Sequence, residues 1–161
     1  AEIVCNHFNN ITDTKFSIIR TTAMYGPHDN FNNRGHVIPQ LIMKANSGMN
    51  PFEIWGDGTQ IRDFTYVDDV IDALLLVTEK SNGRAYNVAT GTPTTVTELV
   101  ETITDIYGYT PEFWYDLTKP TMIPKRVVDV SKIYEDLNWK AKHTLRDGLE
   151  KTIEWYKESS K

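Results

Sequence analysis

Cysteine is almost missing from this 161-residue chain: Cys5 stands alone. No disulfide framework or thiolate metal cluster can form, and the reading is a reducing compartment, the cytosol. Basic charge is also short. Lys and Arg number 17 against 22 Asp and Glu, a net charge of −5, so the chain lacks the basic surface that a nucleic acid or an anionic membrane requires. No apolar run approaches the ~20 residues of a membrane span, and no charged-then-apolar leader opens the chain. The histidines His7, His28, His36 and His143 are scattered, without helical i, i+4 pairing or carboxylate companions, so no metal is expected. In a cytosolic chain the Asn10-Ile11-Thr12 sequon reads as chance.

Glycine is present but not in a phosphate-cradling pattern. There is no Gly-x-Gly-x-x-Gly, no Walker loop and no Gly-x-Ser-x-Gly elbow. Gly56-x-Gly58 lacks the third glycine and precedes a strand, the wrong context for a dinucleotide turn. Tyr115-x-x-x-Lys119 has the spacing of a helical pair, but its stretch is strand-like and ends at Pro120, so it reads as a chance match.

What remains is an ordinary globular composition patterned as alternating β and α elements, an α/β unit without repeats or linkers. Ala1 to Ile11 reads as a helix already under way, with Ile3, Val4, His7, Phe8 and Ile11 on one face and no cap before it. Lys15 to Thr22 is β-prone and predicts a buried parallel strand, followed by a loop from Ala23 to Phe31 at the strand's carboxyl edge, where open α/β sheets hold ligands. Val37, Ile38, Leu41, Ile42 and Ala45 give a helix that Gly48 ends. Pro51 to Trp55 alternates as a strand, and Asp68 to Thr78 is a nearly all-apolar helix expected to be buried on most sides. Arg84 to Ala89 is a further strand. Thr95-Val96-Thr97-Glu98 is a capping box opening a helix that stops at Gly108. Pro111 to Asp116 predicts a strand, Thr118 to Pro124 a proline-bounded loop, and Ser131 to Leu137 and the run from Thr144 two last helices. Two or three parallel strands with about six helices are expected.

The centre of this pattern is Trp55 to Val70. A Gly56-Asp57-Gly58 turn feeds a short strand that carries Arg62 among aromatic and β-branched residues. Two readings of Arg62 stand open: a hairpin arginine paired with Asp57, Asp63 or Asp68, or a guanidinium that meets an anionic ligand. Tyr25 is open in the same way, as a core-lining aromatic or as a residue facing a ligand across the loop.

The ordered set Arg20-Thr-Thr-Ala-Met-Tyr25-Gly26-Pro27, His36-Val-Ile-Pro39, Gly56-Asp-Gly58-Thr-Gln-Ile-Arg62-Asp63-Phe-Thr-Tyr66-Val67-Asp68-Asp69-Val70, Tyr86-Asn87-Val-Ala-Thr-Gly91, Arg126-Val-Val-Asp129 and Leu137-Asn-Trp139 resembles the C-terminal part of extended short-chain dehydrogenase/reductases that modify nucleotide sugars. Tyr25-Gly-Pro-His-Asp-Asn-Phe31 followed by His36-Val-Ile-Pro39 is most similar to the GDP-L-fucose synthases and neighbouring NAD-dependent epimerase/dehydratases.

The resemblance implies a two-part enzyme, a homodimer when full length. A Rossmann domain binds NAD or NADP and carries a catalytic Tyr-x-x-x-Lys helix; a smaller C-terminal portion grips the nucleotide diphosphate sugar. In such relatives the catalytic helix continues into Ala-Glu, as Ala1-Glu2 stands here, so the chain is expected to start just past the catalytic lysine, with the Rossmann domain missing and no catalytic residue of its own. By the same resemblance, Arg62 and Arg126 hold the substrate pyrophosphate, where a guanidinium fork takes two phosphate oxygens at once. Tyr25, Gly26 and Pro27 form the loop beside nicotinamide and sugar. Val37, Ile38, Pro39 and the Phe52 to Trp55 strand, Trp55 included, form the wall around the nucleoside base. Ala23 stands where many epimerases keep an asparagine on the substrate phosphates, which counts against a plain UDP-hexose 4-epimerase. The other reading is a free-standing, non-catalytic nucleotide-sugar binding or interaction module, which the coding sequence upstream of Ala1 would separate from the first.

Overall fold

The computed structural model describes residues 1–14, 16–32, 35–81, 83–121 and 123–159. In chain order the elements are α1 (Glu2–Ile11), β1 (Ile18–Thr21), β2 (Ala23–Tyr25), α2 (Val37–Asn46), β3 (Phe52–Trp55), β4 (Ile61–Arg62), β5 (Phe64–Tyr66), α3 (Val67–Lys80), β6 (Ala85–Val88), β7 (Thr94–Thr95), α4 (Val96–Tyr107), β8 (Phe113–Asp116), β9 (Lys125–Arg126), α5 (Ser131–Leu137) and α6 (Leu145–Ser159). The α/β class and the six helices match the reading of the sequence. The strands do not: they are shorter and more numerous than the two or three expected, because pairing partners far along the chain, rather than local propensity, decide where a strand forms.

Among the described residues the strands form four small sheets. β1 runs parallel to β6, β2 to β5 and β3 to β8, while β4 lies between antiparallel β7 and parallel β9. The β1 strand begins at Ile18, and Lys15, its expected first residue, lies outside the described residues. Ala23 to Tyr25 is a strand and not the start of a loop, since its backbone pairs with Phe64 to Tyr66. The Gly56-Asp57-Gly58 turn closes no hairpin: β3 and β4 pair with other strands on each side of it. Both glycines sit at φ +74, and a Cβ on Gly58 would stand 2.2 Å from Thr97 Oγ1. Only glycine serves there.

Two apolar clusters hold these pieces. The larger gathers α2, α4 and α6 around β2, β3 and β5, with Ile42, Phe52, Ile54, Leu99, Ile103 and Leu149 sealed from solvent. The smaller packs α3 and α5 on β6, through Ala73, Val77, Tyr86, Val88, Ile133 and Trp139. The predicted capping box opens α4: Thr95 Oγ1 accepts from Glu98 N–H at 3.1 Å, and Glu98 Oε2 accepts from Thr95 N–H at 2.7 Å.

Helix α3 departs from expectation. Its Val70, Ala73 and Val77 are buried, but Ile71, Leu74 and Leu75 are 48%, 47% and 58% exposed. An apolar face of this helix is thus left uncovered by the described residues. The apolar face of α1 is uncovered too, since no residue of that helix is buried.

Candidate functional site

A groove of about 440 Å³ opens between α2, β3, β4 and the chain after β8, with Val37, Gln40, Lys44, Glu53, Trp55, Gln60, Arg62 and Thr121 among its lining residues. Local periodicity explains which side chains reach it. On α2, Val37, Leu41 and Lys44 lie at i, i+4 and i+7, one helical face. On β3, Glu53 and Trp55 alternate with Phe52 and Ile54, which are fully buried in the core behind.

Arg62 is held in the middle strand of its sheet. Its Nη1 donates to the Ile61 carbonyl at 2.8 Å. Each carboxylate that could have paired with it is turned elsewhere or left apart. Asp57 Oδ1 accepts from Thr59 and Gln60. Asp63 accepts from Thr90 N–H and Oγ1–H at 3.1 and 2.6 Å and from Gly91 N–H at 3.0 Å, pinning the loop after β6. Among the described residues Arg62 makes no ion pair, and neither does Arg126, its neighbour across the β4–β9 register. The hairpin ion pair is therefore not the role of Arg62.

The groove's other charges are paired. Lys44 Nζ donates to Glu53 Oε2 at 2.8 Å and to the Glu53 carbonyl at 3.0 Å. That hydrogen bond above all, with the Trp55 indole and the charge of Lys119 adding to it, holds the Glu53 carboxyl below the usual glutamate range. Trp55 is half exposed, with Lys119 Nζ 5.4 Å from its ring centroid. Tyr115 lies on β8 and Lys119 in the turn beyond it, where Lys119 N–H donates to Asp116 O.

The structure brings Val37, Trp55 and Arg62 to one groove, with Arg126 exposed on the adjoining strand. Ile38 and Pro39 are placed otherwise: both are buried on the core side of α2. Tyr25 is a core residue, 3% exposed, its hydroxyl donating to Leu145 O at 3.1 Å and its ring meeting Tyr66 edge-on at 5.9 Å. Burial, with Tyr66, Asp69 and Asp147 nearby, pushes that hydroxyl well above the ordinary tyrosine range. A Cβ on Gly26 would stand 2.4 Å from Val67 Cγ1, so this glycine serves close packing on α3; Pro27 is half-buried in the turn beyond.

Lys44 is absent from the reading of the sequence, which contains Glu53 only within the Phe52 to Trp55 wall and Gln60 only within the motif around Arg62, although helical and strand periodicity places Lys44 with Val37 and Glu53 with Trp55. A second constellation left no sequence signal. Asp69, 1% exposed, accepts from Lys142 N–H and His143 N–H, both at 3.1 Å, and its Oδ1 lies 3.0 Å from His143 Nδ1, tying the start of α3 to the approach to α6. Among the described residues no group of three His, Cys, Asp or Glu side chains could hold a metal ion, and no helix is long and apolar enough to cross a membrane.

The chain is 35% identical over 141 residues to GDP-L-fucose synthase 1 of Arabidopsis thaliana, covering 84% of this chain and 43% of that protein. To the GDP-L-fucose synthase of Escherichia coli (strain K12) it is 31% identical over 171 residues, 97% of this chain and 53% of the relative. The crystal structure of UDP-glucose 4-epimerase with UDP-glucose from Thermotoga maritima superposes with a TM-score of 0.88 at 29% identity, over 99% of this chain and 52% of the other. The chain thus spans about half the length of the relatives it matches. Residues 1–89 match the NAD dependent epimerase/dehydratase family, and the chain that carries this groove belongs to that family.

Proposed function

We propose that these residues form the nucleotide-sugar-binding portion of an NAD(P)-dependent epimerase, dehydratase or reductase, of GDP-L-fucose synthase-like kind. The hydride chemistry would belong to NAD or NADP on an N-terminal Rossmann domain outside this chain, and the full-length enzyme would be a homodimer. The observation that carries this reading is Arg62: a half-buried guanidinium in a groove beside a half-exposed indole, without a carboxylate partner among the described residues. A cation so placed suits a pyrophosphate, with the nucleoside lying along Val37 and Trp55. Arg126, opposite Arg62, supplies a second cation for the same diphosphate.

The test is a titration of a nucleoside diphosphate against wild type and Arg62→Lys. Lysine keeps the charge and loses the fork. A hydrogen bond from a charged donor contributes about 1.5–3 kcal/mol, so the dissociation constant should rise roughly tenfold or more while the melting temperature holds. Unchanged affinity would overturn the pyrophosphate assignment.

A further inference from the structure

The relatives disagree on the base: GDP-L-fucose synthases stand beside a dTDP-sugar reductase of Streptomyces and a UDP-glucose epimerase. The groove contains a pair that can choose. We infer that Glu53 and Lys44 read the edge of the base, and that the base they select is guanine. This rests on the groove being the nucleotide site.

The pair is built rather than incidental. Both side chains line the groove, their exposures are 20% for Lys44 and 23% for Glu53, and Lys44 is fixed by two bonds, one to the carboxylate and one to the backbone of the same residue. Glu53 and Trp55 point to the same side of β3, two residues apart, and the indole bonds to the carboxyl, so the carboxylate stands beside the ring along which a base would lie. Glu53 stays ionised, since Lys44 holds its carboxyl below the usual range.

The chemistry then discriminates. A carboxylate is acceptor-only, with about four lone-pair sites, so the bonds from Lys44 and the Trp55 indole leave room for two more donors. Guanine presents O6, N1–H and N2–H2 in a row: an acceptor for the Lys44 ammonium, then two parallel donors for the Glu53 carboxylate. Uracil and thymine present a single donor, N3–H, flanked by two carbonyl oxygens, and the second of these would face Glu53 oxygen to oxygen. Adenine offers its amino group and no second parallel donor. Hypoxanthine keeps O6 and N1–H but lacks N2–H2. The pair thus rewards guanine and repels pyrimidines, which is how specificity is set by an unfavourable contact as much as a favourable one.

Calorimetric titration of the protein with the diphosphates of guanosine, inosine, uridine and adenosine tests this without any mutation. Guanosine diphosphate should bind at least about tenfold more tightly than each of the others, the step from inosine to guanosine isolating the bond from N2–H2. Glu53→Gln, which presents an amide donor where the carboxylate accepts, should bring the guanosine and uridine compounds to within about threefold of each other. Equal affinity for guanosine and inosine diphosphates, a preference for uridine, or a guanosine preference unchanged in a folded Glu53→Gln protein would each overturn the assignment while leaving the groove a nucleotide site. Binding of none of the four would overturn the nucleotide site itself, and the base assignment with it.

Discussion

Arg62 and Arg126 are direct partners across the parallel register of β4 and β9, in a sheet whose other neighbour, Thr94, is uncharged. Residues opposite each other on adjacent strands share a face, and like charges so placed repel. Without an ion pair to either guanidinium among the described residues, the sheet carries this repulsion in the free protein, and an anion bound between them would relieve it.

Arg126→Gln should separate those two effects. Removing one of the opposed charges relieves about 0.2–1 kcal/mol of repulsion, so the free protein should melt slightly higher. The same change should weaken nucleoside diphosphate binding about tenfold. Calorimetry and thermal melts on one set of samples read both; unaltered affinity would remove Arg126 from the diphosphate site.

Asp69→Asn should damage folding and not recognition. The buried carboxylate accepts two backbone N–H groups and faces His143 Nδ1, and asparagine replaces one acceptor oxygen with a donor that meets donors. The loss should be at least about 1.5–3 kcal/mol, seen as a fall of several degrees in melting temperature. A variant that melts with wild type would show that the bridge between α3 and the approach to α6 contributes nothing.

Alkaline pH should act through Tyr25. Its native pKa is raised above the unfolded value near 10 by burial, so the folded state holds the proton more tightly. Stability from this group is complete below pH about 10 and is lost as pH climbs toward the native value, at up to about 1.4 kcal/mol per pH unit. Tyr25→Phe forfeits the bond to Leu145 and should be less stable at neutral pH, with a shallower alkaline decline. Parallel declines in the two proteins from pH 9 to 11 would contradict it.

The faces of α1 and α3 make a prediction about the 161-residue chain in isolation. Ile3, Val4, Phe8 and Ile11 on one helix and Ile71, Leu74 and Leu75 on the other are exposed, a surface that a partner domain would cover. The isolated chain should bind an apolar dye and self-associate as concentration rises. Sedimentation showing a monomer throughout, without dye binding, would contradict it.

The residues alone determined the α/β class, the six helices, the capping box and the order of motifs around Trp55 to Val70. Each of these rests on interactions within a few positions of the chain: helical spacing on α2 and α6, the Thr95–Glu98 reciprocal bonds, glycines where φ is positive. Arg62 was visible as a candidate for the same reason, one guanidinium among apolar neighbours. The tertiary structure decided what became of it. Whether Arg62 paired with an aspartate depended on where Asp63 and Asp57 turned, and Asp63 was taken by Thr90 and Gly91, nearly thirty positions on. Which residues of Phe52 to Trp55 faced the groove depended on which side the core occupied, and Ile38, Pro39 and Tyr25 went to packing on the same ground. The β2–β5 pairing, the Arg62–Arg126 register and the Asp69–His143 bridge join positions forty or more apart in the chain, and no local propensity encodes a partner at that distance.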